Sequence, residues 1–111
     1  MRALPDSVLA LAGVGVSHVF GGGAYIKSTN IPAGTSLGQH AHTHDHLSVL
    51  VSGSVELTVD GEKQALTGFQ ILTLVAGKQH QIHAITDAVW LCVWATEETD
   101  AQEIDRTILK E

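Results

Sequence analysis

The sequence predicts an all-β, single-domain fold, a small barrel of antiparallel strands, and three features carry that prediction. Eleven glycines against two prolines supply many tight turns and bulges. Short runs either alternate apolar and polar residues with a period of two or are rich in β-branched and aromatic side chains. Between two such runs stands Asp60-Gly61, a strong hairpin signal because a type I′ turn needs positive φ at both central residues. At 111 residues there is material for one core and none for a second domain.

In chain order, residues 1–12 read as a helical turn or arm with Asp6 or Ser7 as its cap. Gly13 to Phe20 reads as a first strand, Gly21-Gly22-Gly23 as a turn and Ala24 to Ile31 as a second strand. Pro32-Ala33-Gly34 then turns the chain into a histidine-bearing strand. After a bend at Thr43-His44-Asp45, parity puts Ser48 and Leu50 on the face of His46 and sends Leu47, Val49 and Val51 outward. Such an apolar outward row predicts another layer or a second subunit over it. Ser54 to Val59 alternates, with Val55, Leu57 and Val59 on one face; Gln64 to Leu66 pairs back, and Gln70 to Val75 follows. In Gln79 to Ile85, His80, Ile82 and Ala84 share one face and His83 takes the other. Ala88 to Ala95 is apolar on both faces, which predicts cover on both sides. Thr99 to Gln102 has the form of a capping box, and Ala101, Ile104 and Ile108 make an apolar stripe, so a short C-terminal helix is expected. The organisation is thus an arm and strand over 1–19, a barrel over 20–95 and a helix or tail over 96–111.

The formal charge of −6 argues against nucleic-acid and anionic-membrane partners, which need clustered Lys and Arg. A single cysteine, Cys92, excludes an internal disulfide and fits a reducing compartment; its apolar strand makes it a buried hydrophobe. The apolar run Val8 to Val16 is too short to span a bilayer and no cleavage-site pattern follows it, so a cytoplasmic location is expected.

The chemistry concentrates in Gly34 to Gly53, GTSLGQHAHTHDHLSVLVSG. His40 and His42 project from one face of a strand, a spacing that offers two imidazoles to one ion. Parity alone would add His44 and His46, but the bend intervenes. His80 lies downstream in GKQHQIH, and a distant histidine completing a local pair suits a metal site built on adjacent strands.

This segment resembles the first motif of the cupin superfamily, G-x5-H-x-H-x3-E-x6-G, with Gly34, His40, His42, His46 and Gly53 on its fixed positions. His46 stands where the family usually has glutamate. The second motif, ending P-x-G-x2-H, is met by Gly77 and His80, with Val75 at the proline and Ala84 where an asparagine is common. The resemblance covers roughly residues 20 to 95. It implies a jelly-roll barrel, a homodimer, and a divalent transition metal held by His40, His42, His46 and His80. With an imidazole in place of the carboxylate the ion keeps its full charge, which favours Zn, Ni, Fe(II), Cu or Mn over Mg or Ca. All four imidazoles must be unprotonated to bind, so metal is expected to leave below about pH 6.

The family hosts many reactions, so the resemblance supplies no single one. Three readings follow: a metal-dependent enzyme on a small organic substrate, dioxygenase-like or cyclase/isomerase-like; a non-catalytic, metal-dependent module that binds a small molecule; and a structural dimer stapled by its metal. The first needs open coordination positions and a group to move protons, for which His44, Tyr25 and an unligated His46 are the candidates.

Overall fold

A computed structural model describes residues 13–39, 46–74 and 77–95 of the chain. Nine strands run through them: β1 Gly15–Gly21, β2 Ala24–Ile31, β3 Ser36–Gln39, β4 His46–Ser52, β5 Ser54–Val59, β6 Glu62–Thr67, β7 Gln70–Leu74, β8 His80–Ala84 and β9 Ala88–Ala95. They form a five-stranded sheet in the order β1-β2-β9-β4-β7 and a four-stranded sheet in the order β3-β8-β5-β6. Every pairing is antiparallel. The fold is therefore the all-β jelly roll expected. Among the described residues its two sheets stand as the layers of a sandwich and are not hydrogen-bonded into one closed cylinder. The expected helix over 96–111 and the arm over 1–12 lie outside the described residues.

Alternation produces the layers. On β4, His46, Ser48 and Leu50 are buried while Leu47 and Val51 are exposed, as parity requires. On β9, Ala88, Trp90, Cys92 and Trp94 face inward, which places the two tryptophans in the interior. Leu50 and Trp90 from the larger sheet meet Val55 and Ile82 from the smaller one in a single core. Val89, Leu91 and Val93 on the reverse of β9 are only half-buried, so the cover expected over that side is not supplied by any described strand.

Two turns fix the register. Asp60 and Gly61 take φ of 48° and 87°, the doubly positive geometry of a type I′ turn, and Val59 pairs with Glu62 across it. Gly53 alone joins β4 in one sheet to β5 in the other. Its φ is +92°, and a Cβ there would fall on the Asp87 carbonyl oxygen. Only glycine turns this corner without displacing the neighbouring strand.

Candidate metal centre

The Gly53 corner orients the histidines. β4 leads back from it to His46, while β5 leads away from it to Val59, the register partner of His80. Both histidines therefore sit at the end of the sandwich remote from Gly53, one on each sheet. β3 runs toward the same end, where its last residue, Gln39, pairs with His80, so the chain enters the segment carrying His40 and His42 beside His80. His40, His42 and His44 themselves lie outside the described residues. Among the described residues no three His, Cys, Asp or Glu side chains form a cluster able to hold an ion.

Both described histidines are buried, His46 to 4% and His80 to 3% exposure. His46 Nδ1 lies 3.2 Å from the Leu47 carbonyl oxygen and 3.4 Å from Ser48 Oγ. Donation from Nδ1 to the carbonyl puts the lone pair on Nε2, the tautomer that a metal-binding histidine adopts when its other nitrogen bonds the backbone. The Trp94 ring packs on His46 with centroids 4.5 Å apart and planes inclined by 35°, which restrains the imidazole. Burial holds His80 below the ordinary histidine pKa; the Asp60 carboxylate opposes the shift and the Lys78 ammonium adds to it. A neutral, buried imidazole is the form that gives its lone pair to a cation. Two such imidazoles are donors of the kind that suits a borderline transition metal.

His83 takes the outer face of β8, as alternation predicts, and its Nδ1 is 2.6 Å from Ser36 Oγ. Tyr25 is buried on the inner face of β2, with its hydroxyl 2.7 Å from His18 Nδ1. Its ring stacks on Trp94 at 5.3 Å and on Phe20 at 4.9 Å. Cys92 is buried beside Ser48, whose hydroxyl lies 3.7 Å from the sulfur. Burial pushes the Cys92 thiol pKa up, opposed in part by that hydroxyl and by the Lys27 ammonium.

Three inward groups, His18, Lys27 and Ser48, are not picked out by the histidine motifs. The signal for Lys27 is the parity of β2: once Tyr25 faces the core, Lys27 must face the same way. A cavity of about 420 Å³, a size suited to a small molecule, lies against His46 and Trp94 at the edge of the five-stranded sheet and extends onto Leu47, Thr73 and Val93 of its outer face. A second, of about 290 Å³, lies toward the Gly53 end against Asn30, Pro32 and Asp87, away from both histidines.

The Cupin domain family matches residues 28–94, more than half of the chain. The chain belongs to the cupin family. This cupin is similar in fold to KdgF from Halomonas sp., at 19% identity over 80% of this chain and 84% of that one, with a TM-score of 0.68. A conserved protein of unknown function from Streptococcus pyogenes aligns at 23% identity over 78% and 76% of the two chains, TM-score 0.65. A predicted oxalate decarboxylase from Thermotoga maritima aligns at 20% identity over 72% and 77%, TM-score 0.63. At these identities the likeness is one of fold. No curated protein matches the cupin in sequence. No helix among its described residues is long and apolar enough to cross a membrane.

Proposed function

We propose that this cupin holds a divalent transition metal (Zn, Ni, Fe(II), Cu or Mn) through His40, His42, His46 and His80 and transforms a small organic molecule bound beside it. The reaction class is dioxygenase-like or cyclase/isomerase-like, and the compartment is the cytoplasm. One observation carries the reading: two buried histidines on facing sheets occupy the end at which β3 finishes, one residue before His40 in the sequence. When bound, the ion supplies Lewis acidity and, for Fe or Cu, access to one-electron chemistry. The chain's own residues do the rest. Leu47 and Trp94 hold the His46 ring with Nε2 as its donor. The apolar core around His80 excludes water and keeps that imidazole neutral. Tyr25 Oη and His18 Nδ1, 2.7 Å apart, offer a route for a proton between the interior and the half-buried His18.

Elemental analysis of the purified protein beside His80→Ala tests the site. We expect close to one equivalent of metal in the wild type and a loss of about tenfold or more in affinity for the variant. A variant that keeps its full complement refutes the assignment. Metal that is retained without turnover by any of the five ions moves the reading to a non-catalytic, metal-dependent binding module.

We also propose that the cupin works as a homodimer through the outer face of its five-stranded sheet. Register aligns Val19, Ile26, Val93 and Leu47 in one row across four strands. Leu91, Val49 and Ile71 align in the next. Leu47 is 48% and Ile71 60% exposed, so no described element covers this face.

A further inference from the structure

The inner face of β2 carries a half-buried positive charge that no described residue answers. On β2, Tyr25, Thr29 and Ile31 are buried on the inner face, and Lys27 lies among them, half-buried. Its neighbours in register are His18 on β1 and Cys92 on β9, with Ser48 next on β4. The ammonium is close enough to act on the buried Cys92 thiol. The acids of the described residues stand elsewhere: Glu56 pairs with Lys63 at 3.8 Å on the outside of β5, Asp60 and Glu62 are at the hairpin, and Asp87 is at the Gly53 end, where it accepts the Ala33 N–H. Among the described residues Lys27 has no ion pair.

A partly desolvated ammonium without a counter-charge is costly unless water or a ligand supplies what the protein does not. The inner face leads from Lys27 straight to the histidines. Two strand spacings and one step along the strand put the Cα atoms of Lys27 and His46 about 12 Å apart. A lysine side chain spans about 6 Å of that gap. What remains, about 6 Å, is the length of an organic acid of a few carbons, one end at His46 and a carboxylate at the ammonium.

We propose that Lys27, with His18 beside it, forms an anion subsite that binds the carboxylate of a small organic acid whose other end reaches the histidine centre. This deepens the metal reading above and rests on it for the second contact. It makes the substrate class anionic and Lys27 the residue that selects for it.

Calorimetric titration of the metal-free and Zn(II)-loaded protein with malonate, and with neutral malonamide as its isostere, tests the subsite, using wild type, Lys27→Gln and Lys27→Arg. We expect malonate to bind and malonamide to fail. Lys27→Gln should weaken malonate about tenfold or more in both forms, the scale of a lost charge-assisted contact, and Lys27→Arg should recover most of it. Metal content and melting temperature of the variants should match the wild type. Malonate binding that is indifferent to Lys27→Gln, or absent from both wild-type forms, overturns the proposal. A wild type that takes up no metal yet binds malonate through Lys27 leaves the subsite standing and removes the metal reading. Full metal occupancy with Lys27→Gln indistinguishable from wild type does the reverse.

Discussion

At the scale of single residues, His80 and Cys92 show what burial does to ionisable groups. Burial lowers the His80 pKa from its ordinary value of about 6.5, so on acidification the unfolded chain takes up this proton before the folded one. Stability of the metal-free protein is therefore complete above about pH 6.5 and declines as pH falls through the folded value. His80→Leu has no proton to take up, and its melting temperature should vary less between about pH 7 and pH 5. Equal slopes for both proteins would show that desolvation of His80 is not the source. Burial raises the Cys92 thiol pKa, which keeps it in the unreactive protonated form. A thiol reagent at neutral pH should label the folded protein far more slowly than the denatured chain. Rapid stoichiometric labelling of the native state would contradict the burial.

At the scale of the element, the corner between β4 and β5 is the most constrained point among the described residues. Gly53→Ala must accept φ of +92° and push a methyl group into the Asp87 carbonyl and Ala88. Denaturant unfolding should show a loss of about 2–4 kcal/mol, and a loss below about 0.5 kcal/mol, the size of an ordinary surface change, would mean that the corner relaxes freely. Individual strands were legible in the sequence because period-two alternation is local. The Asp60-Gly61 turn, the bounds of β2 and the inward faces of β4 and β8 all follow from neighbours a few residues apart. Which strands share a sheet was not legible, since β2 pairs with β9 and β3 with β8 across long stretches of intervening chain and alternation says nothing of partners. Lys27 was hidden for a related reason. Its orientation follows from that of Tyr25, and propensity alone calls β2 a strand without choosing its inner face. In the candidate site, His46 and His80 were legible as inward residues because the motif spacing and the strand parity agree at both positions.

At the scale of the whole molecule, the outer face of the five-stranded sheet is left aliphatic among the described residues. Light scattering should give the mass of a dimer for the wild type at micromolar concentrations. Ile71→Lys on the edge strand β7 and Val49→Lys on β4, which put charges on that face, should give monomers with an unchanged far-ultraviolet spectrum, because a buried unpaired lysine opposes association. A wild type that is monomeric would instead leave the face to be covered by residues 1–12 or 96–111 of the same chain.

The single-residue crossing at Gly53 makes the sandwich a pair of tongs. His46 and Val59 lie about 20 Å along their strands from that pivot, and His80 rides on Val59. Opening the jaws by about 5° would part their tips by roughly 1.7 Å over that length, several times the half-ångström tolerance of a preorganised site. If the metal proposed above is held between the jaws, a substitution at the pivot would be felt as a loosened grip on it before the fold is lost.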